Sequence, residues 1–431
     1  MIRNWMSTSP SNGQRWRFFC RSIWICAMVG ASLGACAKPQ TQRGPGQLTP
    51  VKRQPVQAIA ALPVEAAAHP PAPEGNPFAD AAFFVNPDYV AKVEATAAAH
   101  SDASPWLDEV RTVSTAVWLD RIDAIEQVPL ALERAKAQNE DTGRAVAPVF
   151  VVYNLPNRDC AAKASAGELK TEEDGEARYR QEFIDPLAQH FSAHPNQRVV
   201  VILEPDSLPN LVSNLGVEKC ARSQEVYKNS VAYAIAQLSL PNVHIYVDAA
   251  HAGWLGWEAN RRRMVEIYAE VLAMAGGSDR IRGFATNVSN YNPLHGDDGA
   301  RLESSNPCSN ELSYVEALGE SLESAGIRGK GFVIDTSRNG QAGIRTRWGN
   351  WCNIRGAGLG ERPQVAPAPL VDAYLWIKPP GESDGVAEPG ALRFDENCRS
   401  ADAALGAPEA GEWFEDYFLQ LAQNAKPPLG R

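Results

Sequence analysis

The chain has 431 residues, 44% of them hydrophobic, and a formal charge of −10. That apolar share is enough for a large core, within reach of one α/β domain of more than about 300 residues. The acidity argues against nucleic acid, whose binders carry basic faces, and suits a protein that meets a neutral polymer.

The first 35 residues hold Arg3, Arg15, Arg17 and Arg21 and no acid. An apolar run over residues 23–33 follows, too short for a good spanning helix, so it predicts a signal peptide. The run ends in Leu33-Gly34-Ala35-Cys36, which resembles a bacterial lipobox. Cleavage before Cys36 and lipidation of its sulfur would tether an exported chain to a membrane. The other reading is an ordinary cleavage site, with Cys36 incidental and the protein secreted. Loss of four arginines takes the charge from −10 to −14. Cys20 and Cys26 leave with the leader, so five cysteines remain beyond Cys36: Cys160, Cys220, Cys308, Cys352 and Cys398. Export permits disulfides, and an odd count leaves one thiol over.

Residues 37–75 are rich in Pro, Gln, Ala and Gly and poor in large apolar residues. They cannot bury enough surface to offset ordering, which predicts a flexible tether over 36–75. A single catalytic domain is expected from 76 to 431. Seven apolar runs stand in it, near 112–119, 147–154, 198–204, 243–248, 282–288, 331–336 and 372–377. Amphipathic stretches separate them, one with Tyr227, Val231, Ile235 and Leu238 at helical spacing. Strand-then-helix repetition implies a parallel sheet, either closed into a barrel or open and doubly wound.

The stretch Arg198-Val199-Val200-Val201-Ile202-Leu203-Glu204-Pro205-Asp206-Ser207 organises the rest. Its unbroken apolar run fits a strand buried on both faces, and Pro205 should end it. Asp206 then arrives where parallel α/β folds place their chemistry, although Asp206 or Ser207 would also serve as a helix cap. The second run leads likewise into Tyr153-Asn154-Leu155-Pro156-Asn157-Arg158-Asp159-Cys160-Ala161-Ala162. Carboxylates at the same end of neighbouring strands suggest one protonated and one ionised acid, the pair that glycoside hydrolysis uses.

These two stretches resemble the signature motifs of glycoside hydrolase family six, the cellobiohydrolases and endoglucanases, and the likeness runs from about Asn76 to the C-terminus. The resemblance implies a distorted seven-stranded parallel β/α barrel. It also implies inverting hydrolysis of β-1,4-glucosidic bonds, with no metal and no cofactor. Asp206 would be the general acid, and Asp159 the neighbour that keeps it protonated. Asp384, or a water relayed through Ser165 towards Asp159, would activate the attacking water, and Tyr153 would crowd the sugar. Trp118, Trp254, Trp257 and Trp351 would form sugar platforms. Arg158, Asp248, His251, Asn287, Lys378 and Glu382 would hydrogen-bond sugar hydroxyls. By the same resemblance Cys160 pairs with Cys220 and Cys352 with Cys398, leaving Cys308 free. The long segment from Trp351 through Cys398 favours a cellobiohydrolase with a roofed cleft over an endoglucanase. Ser383 departs from the family, since fungal members often carry cysteine there.

Two other readings fit the residues less well. A carbohydrate-binding lipoprotein without activity would not need Asp159, Asp206 and Asp384 together. A metal-dependent hydrolase would use Glu204, Asp206 and Asp248, or Asp248 with His251, but no further ligand spacing accompanies them. The partners expected are therefore β-1,4-glucan and, through the lipid, a membrane, with the protein monomeric and in the cell envelope or outside it.

Overall fold

The structure, a computed structural model, describes residues 71, 73–100, 104–296 and 302–430. The expected leader, Cys36 and residues 37–70 of the expected tether lie outside the described residues. Ten strands follow in chain order: β1 (Ala81–Phe83), β2 (Val117–Leu119), β3 (Ala145–Ala147), β4 (Val149–Val152), β5 (Val199–Leu203), β6 (Val243–Asp248), β7 (Gly283–Thr286), β8 (Gly331–Asp335), β9 (Gln364–Ala368) and β10 (Val371–Leu375). β1 and β3 form a small parallel pair. The main sheet runs β2-β4-β5-β6-β7-β8-β10-β9. All neighbours are parallel except β9, which lies antiparallel on the outer edge of β10.

Each of the seven expected runs overlaps a parallel strand of this sheet, yet among the described residues the sheet has eight strands. The eighth is an edge strand interrupted by Pro367, a residue that sheets tolerate at their edges because it has no N–H to give. Nor does a ladder among the described residues close the barrel. β9 occupies the free edge of β10, and β2 is only three residues long. The gap is bridged singly, by Ala116 N–H donating to the Trp376 carbonyl at 3.1 Å and Trp118 Nε1 to the Ile377 carbonyl at 2.8 Å. The architecture is a curled α/β half-barrel.

Side-chain alternation explains why the strands read as continuous apolar runs. Val149, Val151, Val200, Ile202, Val333, Ala373 and Leu375 fill the concave side, and the same parity carries Tyr153 there. Phe150, Val152, Val199, Val201 and Leu203 face the outer helices. The helix Glu218–Leu238 answers them with Tyr227, Val231, Ile235 and Leu238, the stripe expected from spacing. Burying each such side chain is worth about 1.5–3 kcal/mol, so both sides of the sheet contribute to the core. At the end of the sheet opposite the acids, Asp372 accepts from Tyr246 Oη at 2.7 Å and pairs with Arg282 at 2.6 Å. Gly331 makes room for that carboxylate: a Cβ there would lie 2.0 Å from Asp372 Oδ2. The globular packing is already present at Phe78, which is fully buried, and Asn76 Nδ2 donates to the Asp372 carbonyl at 2.8 Å.

Candidate active site

The loops leaving the strands are strained where the carboxylates emerge. Asp159, Glu204, Asp206, Ala250, Asn287 and Ser289 all take positive φ, between 50° and 60°. Asp and Asn tolerate that region through their short polar side chains. Glu204, Ala250 and Ser289 do so at a cost, so the surrounding packing must enforce it. Turning the backbone this sharply lets successive side chains after one strand serve different purposes.

Glu204 and Asp206 show this division. The Glu204 carboxylate is fully buried and accepts from Asn154 N–H at 3.1 Å, Leu155 N–H at 3.3 Å and Tyr179 Oη at 2.8 Å. It clamps the loop after β4 onto β5, and burial pushes it up to about 7. This commitment removes it from the ligand set that a metal hydrolase would need. Two residues on, Asp206 opens onto a cleft of about 530 Å³. Burial, then the charges of Asp248 and Asp159, hold its carboxyl well above the usual carboxylate range. Asp248 sits behind it, 1% exposed, and accepts Asp206 N–H at 3.1 Å and Ala250 N–H at 3.2 Å. Burial pushes Asp248 up to about 7. Asp159 is also raised, chiefly by burial, and its Oδ2 accepts Ser165 N–H at 3.2 Å.

Asp384 is held differently. Arg338 Nη1 lies 2.7 Å from its Oδ1, while Tyr291 Oη and Asn353 N–H reach its Oδ2 at 2.6 and 2.8 Å. Arg338 is fully buried and lies over the Tyr291 ring, 4.4 Å from its centroid. Asp335, another carboxylate at a strand end, is used as a clamp. It accepts four backbone amides, from Ser289, Ser337, Ile377 and Lys378, and so joins the loops after β7, β8 and β10.

The cleft gathers Trp118, Tyr153, Asp159, Ser165, Asp206, His251, Trp254, Trp257, Trp351, Lys378 and Asp384 from the expected set. In sheet order Trp118 belongs to β2, Asp206 follows β5, and Trp254 and Trp257 follow β6, so the acid stands between tryptophans. Tyr153 meets Trp118 edge-on at 5.5 Å between centroids. The Lys378 ammonium lies 5.4 Å from the Trp118 ring centroid, and burial lowers its pKa. Four expected sugar-binding residues are placed elsewhere. Asp248 lies beneath Asp206. Asn287 is fully enclosed, donating to the carbonyls of Asn292 and Asp335 at 3.2 and 2.8 Å, so it holds loops together instead of meeting sugar. Arg158 sits under the Tyr153 ring and spends its guanidinium on the carbonyls of Asp120, Tyr153 and Ser165. Glu382 pairs with Lys92 at 2.9 Å. It lines, with Arg158 and Trp118, an adjoining cavity of about 840 Å³.

Sequence reasoning left Arg338, Tyr291, Asn353 and Trp348 out of the site. The first two were visible as polar strand-end residues, and Trp348 stands three residues before Trp351. Both disulfides are present, Cys160–Cys220 and Cys352–Cys398, and Cys308 is buried and unbridged. The second bond packs with Ala387 against Ala164 of the loop after β4. There Asp395 Oδ2 accepts Lys163 N–H at 2.8 Å and Ala164 N–H at 3.4 Å.

A curled parallel sheet with adjacent buried acids in a tryptophan-lined cleft defines a glycoside hydrolase. The model of the glycosyl hydrolases family 6 matches residues 78–425, and the chain belongs to that family. A 1,4-β-D-glucan cellobiohydrolase, CEL6C of Podospora anserina, is 44% identical over 326 residues, covering 74% of this chain and 79% of the relative. Exoglucanase 3 of Agaricus bisporus is 40% identical over 358 residues, 82% of this chain and 80% of the relative. Among solved structures, cellobiohydrolase II of Humicola insolens in complex with glucose and cellotetraose superposes with a TM-score of 0.79. It is 37% identical, and the match covers 82% of this chain and all of that one. These relatives are fungal, so they give no support to a bacterial family member, which the resemblance of Leu33-Gly34-Ala35-Cys36 to a bacterial lipobox would suggest.

Proposed function

We propose that this protein hydrolyses β-1,4-glucosidic bonds of cellulose and cello-oligosaccharides with inversion, releasing cellobiose from non-reducing ends. One observation carries the reading: a carboxyl, Asp206, whose proton affinity is raised by burial and two neighbouring carboxylates, opens on a cleft with tryptophans on either side. A glycosidic oxygen leaves poorly unless an acid protonates it, and a raised pKa preserves that proton near neutrality. Asp159 raises the proton affinity of Asp206 and faces the positive charge that develops on the sugar. For the water, the relay through Ser165 to Asp159 fits the geometry better than direct abstraction by Asp384. Arg338, Tyr291 and Asn353 already occupy the Asp384 oxygens, which leaves them poorly placed to receive a hydrogen bond from the attacking water. Trp118, Trp254, Trp257 and Trp351 present flat apolar faces to glucose C–H groups.

Exo action follows from the segment 385–398. Its two ends meet at Ala164, where the Cys352–Cys398 bond and the Asp395 bonds to the amides of Lys163 and Ala164 hold it against the loop after β4. A segment that roofs the cleft from there requires a chain to be threaded from its end. The early products from cellulose are expected to be mainly cellobiose, with the α-anomer first, and the viscosity of a soluble substituted cellulose should fall slowly. Removing part of 385–392 should speed the fall. A rapid early drop with the unaltered enzyme, and long oligosaccharides as first products, would place the chain among endoglucanases.

The catalytic domain spans 76–431 in this reading, preceded by a leader at 1–35 and a tether from Cys36, whose lipidated thiol holds the enzyme at a membrane. Cys36→Ser is expected to release the protein or block its maturation. Mature protein that is soluble with an intact, unmodified Cys36 would refute the anchor.

A further inference from the structure

The turn that carries Asp159 is gripped by one helix. Asn157 and Asp159 both take positive φ, 58° and 54°, and such a turn persists where its neighbours enforce it. The helix Glu218–Leu238 supplies those neighbours. Tyr227 Oη donates to the Asn157 carbonyl at 2.8 Å, Asn157 Nδ2 donates to Ser223 Oγ at 3.2 Å, and Cys220 is bonded to Cys160. The next two carbonyls of the turn go to Lys219. Its ammonium donates to the Arg158 carbonyl at 3.0 Å and to the Asp159 carbonyl at 3.3 Å. Asp159 and Lys219 each stand one residue before a cysteine of the same bridge, so the crosslink keeps their backbones close.

Hydrogen bonding does little for the Asp159 carboxylate, which among the described residues accepts from Ser165 N–H alone. Its charge state therefore depends on the charges around it. Asp206 and Asp395 are its acidic neighbours, Arg158 and Lys219 its cations, and the phenols of Tyr153 and Tyr227 complete the set. Burial raises Asp159, and Arg158 and then Lys219 oppose that rise. The Arg158 guanidinium is fixed by three carbonyls and by the Tyr153 ring. Lys219 is half-buried and faces Lys170 and Glu172 as well as Asp159 and Arg158. Burial, then Lys170, lower its pKa, while Asp159 raises it.

We propose that Lys219 is a positioning residue of the reaction: seated on the two carbonyls of the turn, its ammonium holds Asp159 in place and supplies positive charge that favours the Asp159 anion beside Asp206. The proposal rests on the glucan reading above, in which Asp159 works ionised and Asp206 protonated. The plainer alternative is that Lys219 only fastens the loop, in which case its charge has no bearing on proton transfer.

Lys219→Met removes the charge and the donors, Lys219→Gln keeps a donor without the charge, and Lys219→Arg keeps both. Loss of a positive neighbour makes the Asp159 anion less favourable, so activity that needs this anion should fail at a higher pH. The acid limb of kcat for cellotetraose is expected to move to higher pH in Lys219→Met and Lys219→Gln and to stay in place in Lys219→Arg. Below the limb, kcat of the neutral variants should be lower by about threefold or more, with KM within about twofold. A limb that stays in place in both neutral variants, with kcat reduced by one factor at every pH, would overturn the proposal. The coupling is reciprocal, so a second measurement does not depend on the neutral variants folding. In Asp159→Asn the pKa of Lys219, followed through its ¹³Cε resonance and assigned with Lys219→Arg, should fall. An unchanged Lys219 titration there would also overturn the proposal. If the unaltered protein does not cleave cellotetraose, the glucan reading falls, and the catalytic purpose of Lys219 falls with it even where the titrations are coupled.

Discussion

Asp206→Ala is expected to lower turnover of cellotetraose by about a hundredfold or more, the scale of a lost general acid. Binding should persist, because the tryptophan platforms and the Glu204 clamp are untouched. The effect belongs to proton delivery, so a substrate with a good leaving group, such as an aryl cellobioside, should lose much less. The pH profile offers a second check. Asp206 must be protonated to act, so activity falls as pH rises through its elevated pKa. Asp248→Asn removes a negative neighbour, stabilises the Asp206 anion and so lowers that pKa. The alkaline limb should therefore move to lower pH, and the asparagine oxygen still accepts from the amides of Asp206 and Ala250. Near-normal cleavage of cellotetraose by Asp206→Ala would remove Asp206 from the acid role. An alkaline limb that stays in place in Asp248→Asn would mean that burial alone sets the proton affinity.

The fold was legible wherever one residue type decided the matter. Five consecutive apolar residues at 199–203 have no outlet but a strand covered on both sides, and β5 is that strand. Pro205 ends it. The edge strand β9 was not legible: Gln364-Val365-Ala366-Pro367-Ala368 alternates weakly, contains proline and stays largely exposed, which is also how a loop reads. The site was legible in its residue types more than in their duties. Glu204, Asp206, Asp335 and Asp384 all read as strand-end carboxylates. Their roles differ through what faces them: three donors close on Glu204, four amides on Asp335, a guanidinium on Asp384, and a cleft with two other carboxylates on Asp206. Those partners come from other strands, dozens of residues away, and no local spacing encodes them. The four tryptophans were singled out by the family resemblance, since an isolated tryptophan more often packs in a core, and the cleft gathers all four.

Arg338→Met should be the most destabilising substitution near the site. The Arg338–Asp384 pair is 0% and 6% exposed, and removing one partner of a buried pair costs about 3–5 kcal/mol. The loss comes mainly from the charge left behind: Asp384 would keep the donors from Tyr291 and Asn353 and only the more distant charge of Lys378. Asp384→Asn alone strands Arg338 in the same way, over Tyr291 and against the Ser289 carbonyl. The double variant removes both charges and keeps similar volume. It should recover about half or more of the loss of either single change, a coupling on the order of 2 kcal/mol by a double-mutant cycle in denaturant. Activity adds what stability alone cannot show. If the water is relayed to Asp159, the double variant, once folded, keeps measurable turnover at reduced rate. If Asp384 itself takes the proton, turnover is lost in Asp384→Asn and stays lost in the double variant, however well it folds. Additive losses of stability in the cycle would show that the pair is not energetically linked, and that Arg338 serves the Ser289 carbonyl and Tyr291 instead.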